Sequence, residues 1–158
     1  MDTAAKKAVL RLFPYGLYAV TVRDGAEVNA FTANWLTQVA FEPPMIAVAV
    51  ENDGHSIGLL RRSGVFAVSV FASGQRDLAG QLGRSFARNP RKLDGVAHRP
   101  AANGCPVLAD ALGWLECRVT GELPAGDHTV FVAAITEAGI LREGAALTMA
   151  ETGFRYSG

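Results

Sequence analysis

From residue 17 to residue 137 the chain is a succession of short strand-forming runs separated by turn signals, and that spacing constrains the fold more than any other feature of the sequence. Residues 17–23 are rich in Tyr, Val and Thr, Asp24-Gly25 is a hairpin turn signal, and residues 27–35 read as the return strand. Residues 36–41 alternate in part before Pro43-Pro44 breaks the ladder, because proline has no backbone N–H to donate. Residues 45–50 are continuously apolar, the pattern of a strand buried on both faces. Further strands are expected at 65–71, 114–121 and 128–137, the last two joined by a Pro-Ala-Gly-Asp turn. Short helices are expected at 3–12, at 55–62 with Gly64 as the stop, and at 75–82. A doubly wound sheet needs strand and helix to alternate regularly, and here they do not. The expected fold is mainly β, a β-barrel with a few short helices, in a single domain over residues 1–158.

Composition narrows what such a barrel does. Hydrophobic residues make up 49% and charged residues 19%, with a mean hydropathy of +0.17, which is apolar for so small a domain and predicts a face covered by a second subunit. Fifteen basic residues balance fifteen acidic ones, so the clustered positive face of a nucleic-acid binder is not expected. The apolar run at residues 45–50, which no other exceeds, is too short to span a bilayer, and the apolar stretch after Lys6 and Lys7 is broken at Arg11 and Pro14 in a way no secretory leader shows. Cys105 and Cys117 have neither C-x-x-C spacing nor a histidine cluster nearby and read as free thiols of a reducing cytoplasm. No metal site is expected from His55, His98 and His128, which are widely scattered.

The H-E-x-x-H, P-loop and G-x-G-x-x-G signatures are missing from the sequence. The informative block is residues 29–50, NAFTANWLTQVAFEPPMIAVAV, which sets Thr32, Asn34, Thr37 and Gln38 among apolar residues. Buried polar groups need partners, so this strand run either faces a ligand with hydrogen-bonding edges or lies at a solvated sheet edge. The loop at 83–106 is long and polar and holds four arginines; such loops in compact domains are functional or disordered.

The order Asn29, Thr32, Asn34, Trp35, Gln38, Val39, Phe41, Pro43, Pro44 resembles the signature of the flavin reductase-like, FMN-binding split-barrel family. The likeness extends to KKAVLRLFPYGLYAV before the block, and to HSIGLLRRSGVFAVSV, LAGQLGRSFARNPRKL, ALGWLECRV and AGDHTVFVAAI after it. The resemblance implies an NAD(P)H:flavin oxidoreductase with FMN, or alternatively FAD, as cofactor. It implies that Thr32, Ala33, Asn34, Trp35, Leu36 and Thr37 contact the flavin ring and ribityl chain, and that Val50, Glu51, His55 and Ser56 lie near the ribityl phosphate. Ser56 opens a helix, where an anion is favoured, although a simple N-cap reads equally well. Arg88 and Lys92 fall where the family's basic loop reaches the phosphate, and His128 in GDH matches a histidine that orients the flavin or the nicotinamide. A homodimer is implied, with a monooxygenase or another redox protein as recipient of the reduced flavin. The alternative is an FMN-binding electron-transfer module without a nicotinamide site.

Overall fold

In the computed structural model, which describes residues 1–156, helix α1 (Thr3–Leu10) is capped by Asp2, whose carboxylate accepts from the amides of Ala4 and Ala5. The chain enters β1 (Tyr18–Asp24), turns at Gly25 and returns along β2 (Glu27–Ala33) with Tyr18 opposite Ala33. Gly25 sits at φ +59°, the left-handed conformation a tight hairpin requires. Strands β3 (Leu36–Ala40) and β4 (Met45–Glu51) pair next, and α2 (His55–Ser63) leads into β5 (Val65–Val70). After α3 (Arg76–Leu82) comes a long connection holding a small sheet of β6 (His98–Pro100) and β7 (Pro106–Leu108). A long hairpin of β8 (Gly113–Ala125) and β9 (His128–Ile140) follows, then α4 (Met149–Thr152).

The main sheet is antiparallel, in the order β2-β1-β5-β8-β9-β4-β3. It curls around one interior, where Val20 and Val22 of β1, Phe66 and Val68 of β5, Phe131 of β9, and Ile46 and Val48 of β4 meet. Edge strands β2 and β3 do not pair with each other, and α2 fills the gap from between β1, β2 and β4 with Ile57, Leu59 and Leu60. The expected barrel is present, split along one side. Each fully buried leucine of α2 contributes about 1.5–3 kcal/mol of apolar burial, which fastens the plug. Gly64 ends α2 at φ +67° and its amide donates to the Leu60 carbonyl. An added Cβ there meets no atom within 4 Å, so Gly64→Ala is expected to lose about 1 kcal/mol from backbone strain alone, read as a lower Tm with unchanged flavin binding.

Three expectations are corrected. Residues 45–50 are not buried on both faces: Ile46, Val48 and Val50 face the interior, while Met45, Ala47 and Ala49 stay partly exposed because no element among the described residues covers that side. The strands buried on both faces are β1 and β5, over whose outer side lie β7 and the cluster of Leu17, Ala19, Phe71, Leu82, Leu108 and Leu147. Thr21 Oγ1 donates to the Pro106 carbonyl at 2.6 Å and ties that layer down. Second, the β8–β9 hairpin is longer than expected, because pairing continues through Pro124 and Ala125 and the turn shrinks to Gly126 and Asp127. Third, Ser56 is not the N-cap of α2; Gly54 is, with no side-chain cap.

Among the described residues no helix is long and apolar enough to cross a membrane. Cys105 and Cys117 are free and buried, and burial pushes their thiols up to about 11 and about 12, so neither is an available nucleophile near neutrality.

Candidate functional site

A cavity of about 790 Å³ opens at the split in the barrel, within the usual size range of small-molecule sites. Its walls are β2 and the bend after it, the end of β4, the first turn of α2, one side of α3 with the loop that follows, and the segment beyond α4. Most residues singled out in the sequence converge here. Thr32, Ala33, Asn34 and Trp35 form one wall; Val50, Glu51, His55 and Ser56 form a second; Lys92 and His128 complete it. Leu36, Thr37 and Arg88 are not brought to it. Thr37 lies on the outer face of β3 opposite Ala47, and Arg88 is exposed to solvent.

The cavity wall contains polar atoms with no partner among the described residues. Asn29 is 4% exposed, and its Nδ2 donates to Ser56 Oγ at 2.8 Å while Oδ1 is unpaired. Asn34 is 8% exposed, with Nδ2 unpaired. Leaving such a group buried and unbonded costs about 1–3 kcal/mol, so two in one cavity mark a place built for a ligand that donates and accepts. Asn29 faces inward because it shares strand parity with Phe31 and Ala33. Thr32 Oγ1, by contrast, is spent on the Ala79 carbonyl at 2.6 Å and holds α3 against β2. Because β2 is an edge strand, alternate backbone groups along it have no ladder partner. The Ala30 carbonyl on that edge accepts from Lys92 Nζ, and Thr32, two residues on, presents its backbone on the same edge.

Lys92 is buried, and Nζ donates to the carbonyls of Ala30 at 2.9 Å and Leu82 at 3.1 Å. Loss of hydration lowers its ammonium to about 8, with nearby Glu51 opposing the shift. An ammonium has three donors, so one remains after these bonds. His55 Nε2 bonds Glu27 Oε1 at 2.6 Å, and its ring stacks on Phe86 with centroids 3.7 Å apart and planes 9° apart. At the other end of the cavity, Trp35 packs against His128 (4.8 Å between centroids) and Tyr156 (5.2 Å). His128 Nε2 is 2.9 Å from the Tyr156 hydroxyl and Nδ1 is 2.7 Å from Asp127.

Sequence reasoning did not place Arg84, Phe86, Arg155 or Tyr156 in the site. The first two sit on the long polar loop, whose length was a signal without a register; the last two follow α4 and carry no local signature. Asn29 did carry one: an amide at an inward position of an apolar strand.

The donor set suits an isoalloxazine. Its pyrimidine edge offers donors and acceptors to Asn29, Asn34 and the free backbone of β2, and its benzenoid edge suits Trp35. Lys92, with Arg84 on the following loop, suits a phosphate.

The chain matches the flavin reductase like domain over residues 10–158. It is 32% identical over 152 residues to a high molecular weight rubredoxin of Moorella thermoacetica, covering 95% of this chain and 65% of that protein. Against a solved NADH:FAD oxidoreductase of Streptomyces globisporus C-1027 the TM-score is 0.87 at 29% identity, covering 98% of this chain and 92% of the other. Against the flavin reductase component of a bacterial two-component tryptophan halogenase it is 0.84 at 33% identity, covering 96% and 95%. The chain spans just under two thirds of the rubredoxin and about a quarter of the diflavin flavoproteins it also matches.

Proposed function

The chain belongs to the flavin reductase like family, and from that premise we propose that it holds FMN in the cavity at the barrel split and transfers a hydride from NAD(P)H to it, with FAD as the alternative flavin. The observation that carries this reading is the pair of buried, unpaired amide atoms of Asn29 and Asn34 in a cavity that also holds an aromatic wall and a partly uncommitted ammonium. The flavin supplies the hydride-accepting chemistry when bound. The chain supplies position: Asn29, Asn34 and the edge of β2 hold the polar rim of the ring, and Trp35 excludes water beside it. Lys92 directs its third N–H toward the phosphate, with the first turn of α2 around Ser56 alongside, and His128 orients the nicotinamide. Arg84 on the cavity wall takes the phosphate role that the sequence assigned to Arg88. Arg84→Gln is accordingly expected to weaken FMN several-fold, and Arg88→Gln to leave it unchanged, by fluorescence titration.

A second copy of the chain is the proposed cover for the outer face of β4 and β9, where Met45, Ala47, Ala49, Val130 and Val132 line up across the pairing beside exposed Leu123. Equilibrium sedimentation is expected to give a dimer, and a monomer at micromolar concentration would remove this part. The two unpaired buried cysteines accord with a cytoplasmic setting. The reduced flavin is proposed to serve a monooxygenase or another redox protein. The alternative, an electron-transfer module without its own nicotinamide site, draws support from the partial coverage of the rubredoxin and diflavin relatives, in which such a barrel is one part of a longer protein. An absorbance spectrum taken before and after anaerobic NADH separates the two. Bands that bleach with NADH support the reductase; bands that bleach only with dithionite support the module; a chain that takes up no FMN overturns both.

A further inference from the structure

The segment after α4 crosses one end of the cavity. Arg76 fastens its start, with Nε donating to the Thr152 carbonyl at 2.8 Å and the guanidinium 5.0 Å over the Phe154 ring. Beyond Phe154, among the described residues, the only hydrogen bonds joining the segment to the barrel run through the Tyr156 hydroxyl. It donates to Glu51 Oε1 at 2.5 Å and lies 2.9 Å from His128 Nε2. The partners on the barrel side are rigid: the Asn52 amide donates to the Asp127 carbonyl, Asn52 Nδ2 to the Gly126 carbonyl, and Thr129 Oγ1 to Asn52 Oδ1. Four side chains therefore form one line, Asp127, His128, Tyr156, Glu51, with three gaps between them.

Counting protons along the line shows what it does. Asp127, held below the usual carboxylate range by His128, only accepts, so Nδ1 of His128 carries a hydrogen. Burial and Glu51 push the Tyr156 phenol far up, so it keeps its own hydrogen. With a neutral imidazole and an ionised Glu51, two hydrogens serve three gaps, and one gap sets two lone pairs against each other. A third proton, on His128 or Glu51, closes every gap. The other charged groups near the line are Asp53, which like Asp127 and Glu51 favours the extra proton, and Arg155 and Lys92, which oppose it.

We propose that residues 153–156 form a proton-operated lid: Tyr156 latches onto Glu51 and His128 when the line holds three protons, and swings off Trp35 when one leaves, opening that end of the cavity to the nicotinamide ring. What enters rests on the flavin reductase reading; the latch itself does not. The aromatic pocket that Tyr156 vacates, with Trp35 on one side and His128 on the other, suits a flat carboxamide-bearing ring.

The lid is read by trypsin cleavage after Arg155, which requires the segment to leave the barrel, followed by mass and normalised to a free peptide of the same sequence at each pH. In the unmodified chain, cleavage is expected to accelerate about tenfold as pH rises and the third proton is lost, the scale of one strong hydrogen bond. Tyr156→Phe, which keeps the ring, is expected to be cleaved fast at every pH. Glu51→Gln is expected to be cleaved slowly at every pH, because a side-chain amide donates as well as accepts and fills all three gaps without the extra proton. With FMN present, NAD+ is expected to speed cleavage at the low-pH end. A flat profile in the unmodified chain or a Phe variant cleaved as slowly as the parent overturns the lid, and no response to NAD+ with FMN bound overturns the nicotinamide ring as what enters behind it. An FMN titration on the same sample tests the flavin reading separately, and the profile without flavin decides the latch whichever way that titration falls.

Discussion

Replacing Lys92 with methionine is expected to lower stability by about 3 kcal/mol, because two buried carbonyls lose their donor at about 1–3 kcal/mol each while relief of the buried ammonium returns part of the loss. The carbonyls belong to Ala30 on the free edge of β2 and Leu82 at the end of α3, so the same side chain that faces the cavity also joins its two walls. For a domain of 158 residues this corresponds to a Tm lower by about 10 °C in calorimetry. Lys92→Glu is expected to be worse, since it sets a buried carboxylate against both carbonyls, and so cannot report on phosphate binding. The pH dependence can. Folded Lys92 loses its proton as pH rises through about 8, whereas an unfolded lysine keeps it to about 10.5. Between these values the unfolded chain binds more protons, and this group's contribution to stability rises with pH. The stability gap between parent and methionine variant should therefore widen over that window. A phosphate dianion reverses the preference by favouring the ammonium, so FMN affinity is expected to fall above about pH 8 while riboflavin affinity stays level. Parallel curves for the two flavins would assign Lys92 a structural role only.

The barrel was legible because its signals are local. The β-forming composition of residues 17–23, the Asp24-Gly25 turn and the Gly64 stop each act within a few residues, and all three stand in the structure. What was misread depended on neighbours far along the chain. A run such as residues 45–50 has the same composition whether its outer face meets a helix layer, a second subunit or water, and periodicity cannot separate those cases. For β1 the outer cover arrives about 85 residues later through Pro106, and its mixed Thr and Val pattern gave no warning of it. The site divides in the same way. Residues 32–35 share the cavity wall with Val50, Glu51, His55 and Ser56 because strand and helix geometry carries them together. A loop fixes no register, and on this one Arg84 reaches the cavity wall while Arg88 is exposed to solvent. Tyr156 meets Glu51 across 105 residues, a juxtaposition only the folded chain displays.

Asn34→Leu is expected to separate ligand binding from stability by moving them in opposite directions. In the free protein Nδ2 of Asn34 is buried without a partner, and a leucine of similar size removes that unpaired group, so the variant's Tm is expected to hold or to rise slightly. With flavin the sign reverses. The ring's polar edge loses its protein partner and is itself left unpaired in a dry cavity, which by the usual cost of such a loss weakens binding by about 2–3 kcal/mol, or about 30- to 150-fold in Kd. Asn29→Leu carries the same logic with one difference. It also frees Ser56 Oγ from its bond at 2.8 Å, so its Tm is expected to fall slightly while flavin affinity drops by a similar factor. A residue that merely props the cavity lowers stability and affinity together, whereas a residue kept for its ligand lowers affinity without that penalty. Titration of FMN against melting temperature for the two variants therefore reads the role of each amide directly: an Asn34 variant that melts early and binds normally would make the orphaned amide part of the scaffold and move the flavin's polar edge elsewhere in the cavity.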